Sequence, residues 1–145
     1  MQKYSTSSLE VVCLDDYRKS SQSNSAKTIL CVDEDIVTLN SLKKMFEAKK
    51  YKVILASDAM EVSKIIENNV LNLILLDAQL SWLDGYDLCS LLKSSEVFKN
   101  LPIILLSKFK EEEDIQRGFE AGCDKYIVKP FNVLHLQEIA ENFMS

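Results

Sequence analysis

At 145 residues the chain has room for one domain of ordinary size, and 47% hydrophobic against 27% charged residues is the balance of a soluble globular protein with a real core. Seventeen Lys and Arg against 22 Asp and Glu give a net charge of −5, which argues against a nucleic-acid-binding surface and against adhesion to anionic membranes. The longest apolar runs, 73–76 and 102–106, fall far short of a bilayer span, and no basic-then-apolar leader opens the sequence. Cys13, Cys31, Cys89 and Cys123 lie far apart without a CxxC pair, so they read as small buried hydrophobes of a reduced, cytoplasmic protein.

Residues 1–27 hold seven serines and neither glycine nor proline, and the run SSQSNS at 20–25 reads as a flexible linker. Only LEVVCL, 9–14, could order itself in this extension. From Thr28 onward, short apolar runs alternate with segments of helical period. The run TILCV (28–32) is of strand type, and Ile36, Leu39, Leu42, Met45 and Phe46 follow at the spacing of an amphipathic helix capped by Asp35. KVILA (52–56) is a second strand. Its helix covers about 59–68, with Val62, Ile65 and Ile66 inward and Ser57 or Asp58 as cap.

LILL (73–76) is a third strand, apolar throughout as in a parallel sheet covered on both faces, and Asp77 stands at its end. A third helix occupies 86–92. PIILL (102–106) is a fourth strand ending at Ser107, and a fourth helix over 111–121 has acids at its positive end and Gly122 as its stop. A fifth strand covers 126–128. Val133, Leu136, Ile139, Ala140 and Phe143 then line one side of a last helix. Strict alternation predicts an α/β, doubly wound fold with a five-stranded parallel sheet.

In such sheets ligands bind beyond the C-terminal strand ends. That rule singles out Asp33 and Glu34 after the first strand, Asp77, Ser107 and Lys129 after the third, fourth and fifth. Clustered carboxylates repel unless a proton or cation intervenes, and oxygen ligands open to water suit Mg²⁺ better than zinc. A lysine and a hydroxyl beside them can neutralise and hydrogen-bond phosphoryl oxygens. Taken singly, an acid here can simply cap the next helix, and a Lys–Asp pair can be structural. Five such residues at four strand ends are harder to explain that way.

The segments ILCVDED (29–35), LILLDAQLSWLDGYDL (73–88), LPIILLS (101–107) and GCDKYIVKPF (122–131) resemble the receiver domain of two-component response regulators, over residues 28–145. The resemblance implies a flavodoxin-like (βα)5 fold of strand order 2-1-3-4-5. It also implies that Asp77 accepts a phosphoryl group from a histidine kinase or histidine phosphotransfer protein. Asp33, Glu34, Asp77 and the Gln79 carbonyl would hold Mg²⁺, with Asp33 acting mainly through water. Ser107, Lys129 and Tyr126 would bind the phosphoryl group and carry the switch, with the Lys129–Pro130 peptide cis. The output would be protein contact through the fourth helix, fifth strand and last helix, with an unknown downstream target, as a monomer or weak dimer. With no effector sequence after residue 145, a single-domain regulator is expected, one that catalyses only its own phosphorylation and dephosphorylation.

Four positions depart from the pattern of that family: Glu34 for the commoner Asp, Ala59 for glycine, Ser81 for proline, and Lys108 for a small residue. Gln79, Lys108 and Phe109 are therefore expected to modulate phosphorylation or dephosphorylation rates. Trp82 is placed to report on the metal site, and His135 reads as a surface or half-buried residue rather than a catalyst. Two other functions compete. A receiver-like scaffold would signal without phosphorylation. The Asp33-x-Asp35 pair is also similar to the first motif of haloacid-dehalogenase-type phosphatases, a reading that leaves Asp77 without a role.

Overall fold

The computed structural model describes residues 26–145. The linker, the run at 9–14 and Cys13 lie outside the described residues. The elements follow in strict alternation: β1 Thr28–Val32, α1 Ile36–Glu47, β2 Lys52–Ala56, α2 Ala59–Asn68, β3 Leu73–Asp77, α3 Gly85–Lys93, β4 Ile103–Ser107, α4 Glu112–Glu120, β5 Lys125–Val128 and α5 Val133–Met144. All strands pair in parallel, in the order β2-β1-β3-β4-β5. This is the expected doubly wound sheet.

Two cores sandwich the sheet, because successive strand residues point to opposite faces. Leu30, Val32, Ile74, Leu76, Ile103 and Leu105 pack toward α2 and α3, while Ile29, Cys31, Leu73, Leu75, Ile104 and Leu106 pack toward α1 and α5. Coverage on both faces explains why β1, β3 and β4 are apolar without alternation. Asp35 caps α1 by accepting the Val37 amide, and Asp58, rather than Ser57, caps α2 by accepting that of Glu61. Gly122 ends α4 at φ +99°, a conformation that disfavours any residue with a Cβ.

Two apolar faces are narrower than their periodicity suggested. Ile36 is 61% exposed and Val133 50% exposed, because each is the first residue of its helix and projects beyond the sheet. Met45, Ile139 and Phe143 are only partly buried at the margin of the α1–α5 core, whereas Met144, absent from the expected face, is buried. Cys31, Cys89 and Cys123 are buried free thiols, and burial pushes them up to about 12, 11 and 12 respectively, so they stay protonated.

Candidate functional site

The strand order puts the ends of β1, β3 and β4 side by side, with the chain reversing direction between β1 and β3. Asp77 is the last residue of β3 and Ser107 of β4, and Asp33 and Lys129 directly follow β1 and β5. Asp33 is 3% exposed, Asp77 6% and Ser107 0%, so these are interior polar groups opening onto a rim. Lys129 Nζ donates to Asp33 Oδ2 at 3.0 Å and to Asp77 Oδ1 at 3.3 Å. The Gln79 amide also donates to Asp77 Oδ1, at 3.3 Å, while Asp33 Oδ1 takes the Asp35 amide at 2.9 Å. Both hydrogen bonds to Asp77 thus fall on Oδ1, leaving Oδ2 for a ligand.

Burial, then the neighbouring Asp33 charge, raises Asp77 above the ordinary carboxyl value, although Lys129 and the Gln79 amide pull the other way. For Lys129, burial opposes the charged form, but hydrogen bonding and attraction from Asp33, with help from Asp77, outweigh it and raise the ammonium. Two carboxylates share one ammonium, and the pocket carries an uncompensated negative charge. Hard oxygen donors with excess negative charge fit Mg²⁺. Asp33 and Asp77 are the buried carboxylates that could hold it; the Gln79 backbone meets Asp77 through its N–H.

Glu34 is not with them. Its carboxylate turns toward the β3–α3 loop, where the Ser81 amide donates to Oε1 at 2.9 Å and the Ser81 hydroxyl to Oε2. Among the described residues, no group of three or more His, Cys, Asp or Glu is close enough to share a metal ion. The three acids expected to gather are therefore divided into a buried pair and an outlying Glu34.

On the other side, the Ser107 hydroxyl accepts the Phe109 amide at 2.9 Å. The Tyr126 hydroxyl donates to the Phe109 carbonyl at 2.7 Å. The Lys108 amide donates to Gln79 Oε1 at 3.1 Å, which ties the β3–α3 loop to the β4–α4 loop that carries Lys108 and Phe109 beside Ser107. The Lys129–Pro130 peptide is cis. Trp82 lies on the rim, its indole N–H on the Ser57 carbonyl at 3.0 Å, and His135 is exposed, its amide taken up by Asn132 at the start of α5.

Two contributors escaped the sequence reading. The Tyr86 hydroxyl meets that of Tyr126 at 2.8 Å, and Arg117 lies 4.4 Å over the Tyr86 ring while bonding Asp84 at 3.0 Å. Gly85 is the second: a Cβ there would stand 2.3 Å from the Asp77 carbonyl oxygen and 2.5 Å from Ala78 Cα. The DG pair in 73–88 was the available signal for Gly85; nothing local marked Tyr86.

A parallel sheet of this order, with a buried aspartate pair, a lysine and a hydroxyl at its C-terminal edge, defines a phosphoryl-handling switch class. The family model of the response regulator receiver domain matches residues 29–141, and the chain belongs to that family. It is a receiver domain of two-component response regulators. It is 36% identical over 117 residues to the aerobic respiration control protein ArcA of Escherichia coli (strain K12), covering 81% of this chain and 48% of that protein. The chain thus spans about half the length of the curated relatives it matches first. Among solved structures, a two-component response regulator from Clostridium difficile superposes with a TM-score of 0.75 at 28% identity, covering 81% of this chain and 94% of that one. The receiver domain of the sensor histidine kinase PA1611 from Pseudomonas aeruginosa PAO1 gives 0.73 at 28% identity, covering 83% and 98%, and carries a magnesium ion coordinated in its active-site cleft. Receiver domains are signalling modules rather than classical enzymes. No helix among the described residues is long and apolar enough to cross a membrane.

Proposed function

We propose that Asp77 is the phosphoacceptor of a Mg²⁺-dependent two-component relay. The observation that carries this reading is the position of its carboxylate: at the end of the central strand, buried, with Oδ1 fixed by Lys129 and Gln79 and Oδ2 unengaged by them. Oδ2 attacks phosphorus, and the bond from phosphorus to the donor atom breaks with its electron pair. That donor atom is a histidine nitrogen of the kinase or phosphotransfer protein, or the acyl oxygen of acetyl phosphate. Lys129 is placed to pair with the transferred group, and the Ser107 hydroxyl, which accepts from the Phe109 amide, to donate its proton to a phosphoryl oxygen. Asp33 and Asp77 would hold Mg²⁺, which would supply charge neutralisation at the phosphoryl oxygens.

A groove of about 580 Å³ opens beside the site, lined by apolar side chains of α1 (Val37, Leu42, Met45) and by Lys129, Pro130 and Phe131 after β5. An apolar face this close to Asp77 suits a phosphodonor helix. Movement of Ser107 reaches the β4–α4 loop through Phe109 and then Tyr126, so the output face is α4, β5 and α5. The protein works in the cytoplasm, acts on no substrate but itself, and signals by contact with a downstream protein.

The phosphatase reading is disfavoured by Asp35. Its carboxyl is held below the usual range by the Thr38 hydroxyl and the Val37 amide, which suits a helix cap and not a proton donor. Intact mass after incubation with Mg²⁺ and acetyl phosphate tests the proposal. One phosphoryl group is expected on wild type, and none on Asp77→Asn or with the metal chelated. An adduct surviving in Asp77→Asn, or none in wild type, would overturn the assignment.

A further inference from the structure

Two of the departures from the family pattern touch each other. Glu34 has an arm one methylene longer than aspartate, and Ser81 has a backbone N–H that proline lacks. Across 47 residues of sequence they close a two-point clasp, amide to Oε1 and hydroxyl to Oε2, which uses one donor on each carboxylate oxygen. Ser81 sits in a loop fixed on both sides. Trp82 is tied to the Ser57 carbonyl, and Gln79 bridges to Asp84. When the clasp opens, the free-swinging Glu34 arm moves and the loop stays.

We propose that Ser81 is a positioning residue that holds the Glu34 carboxylate out of the cation site, so that Mg²⁺ binding competes with the Glu34–Ser81 clasp. The inference rests on the reading of Asp33 and Asp77 as a Mg²⁺ site and adds a regulator to it. A cation that gains Glu34 as a ligand binds only the open fraction, and its apparent affinity is reduced by that fraction. The clasp is a charge-assisted contact at an exposed site, so it hinders the site without closing it. Because the departures occur together, the longer arm and the extra donor act as one device, with the backbone N–H on Oε1 and the hydroxyl on Oε2.

The test is a MgCl₂ titration of the full chain, followed by calorimetry and by Trp82 fluorescence, on wild type, Ser81→Ala, Ser81→Thr, Glu34→Asp and the Ser81→Ala/Glu34→Asp double variant. Losing the hydroxyl is expected to tighten Mg²⁺ binding by about three- to tenfold, the worth of one modest hydrogen bond. Ser81→Thr keeps both donors and is expected to bind as wild type does. Glu34→Asp falls short of Ser81, so it too is expected to bind more tightly, and Ser81→Ala should add nothing in that background. Circular dichroism and thermal melts confirm that each variant is folded. Unchanged or weaker binding by Ser81→Ala, in a protein that still takes a phosphoryl group on Asp77 with Mg²⁺, overturns the clasp alone. A flat Mg²⁺ response in every variant, with no adduct on Asp77, overturns the metal reading and the clasp together.

Discussion

Lys129 stands between two carboxylates that would otherwise repel each other inside the protein, and the sign of every substitution at this site follows from that. Removing the ammonium, as in Lys129→Met, leaves Asp33 and Asp77 without their cation. The expected cost is on the order of 2–4 kcal/mol, because a charge whose buried partner is deleted has nothing to replace it. The midpoint of urea unfolding reads this directly. Asp77→Asn should go the other way. The Asp77 carboxyl is raised in the folded state by burial and by Asp33, so between its unfolded and folded pKa values the folded protein binds more protons than the unfolded one. Stability therefore falls as pH rises through that window. In chelator, Asp77→Asn is expected to melt above wild type at pH 7, with the gap closing as pH drops below the ordinary carboxyl value of about 4. A constant gap over that range would assign the effect to packing instead of charge. Lys129 has the same slope in a higher window: its raised pKa gives stability that is present at pH 7 and is lost as pH climbs past the ordinary lysine range of about 10.4.

At the scale of elements, the start of α3 is pressed against the end of β3, and Gly85 makes this possible. Its amide donates to the Ala78 carbonyl at 2.9 Å, and an added Cβ would meet backbone atoms at 2.3 and 2.5 Å, which no rotamer can relieve. Gly85→Ala is expected to destabilise by about 1–3 kcal/mol, the range of an overpacked core, and to disturb Asp77 with it. A urea midpoint within error of wild type would show that α3 can withdraw from β3. The element pattern itself was readable from sequence, since burial of the sheet on both faces forces continuous apolar strands and the helices carry their own caps at Asp35 and Asp58. Asp77, Ser107 and Lys129 were readable as strand-end residues for the same reason. Glu34 shows the limit of that rule. Its place after β1 was legible, but its direction is decided by Ser81, which lies 47 residues away. Tyr86 was hidden similarly: it is buried at the start of α3, and only the assembled fold brings its hydroxyl to Tyr126. Ile36 and Val133 fit the helical period yet stay exposed, because periodicity assigns a face and cannot say where the sheet beneath it ends.

Across the described residues, burial is spread unevenly. The strands β1, β3 and β4 are buried at every residue, while α2 buries only Val62 and α4, on the proposed output face, only Gly118. A Cβ at Gly118 would come 2.6 Å from the Tyr126 ring, so α4 lies close to β5 on a contact of small area. Its N-terminal end adjoins the loop in which Phe109 is tied to both Ser107 and Tyr126. A helix so lightly held opens more easily than the sheet it covers. Native-state hydrogen exchange is therefore expected to show α4 amides exchanging at least about 100-fold faster than those of β3 and β4, which should exchange only through global unfolding. With Mg²⁺ and beryllium fluoride as a mimic of the phosphoryl group, the change in protection should concentrate in α4 and the β4–α4 loop and leave α2 as it was. The Ser107 hydroxyl accepts from the Phe109 amide and has its own proton to donate to a phosphoryl oxygen, so drawing the hydroxyl toward that oxygen pulls on the loop that leads into α4. Ser107→Ala removes the shared group. In that variant the mimic should no longer alter exchange in α4, even where mass spectrometry shows a phosphoryl group on Asp77. If α4 responded as in wild type, the signal would have to reach it by way of Lys129 and β5, and the path through Phe109 would be wrong.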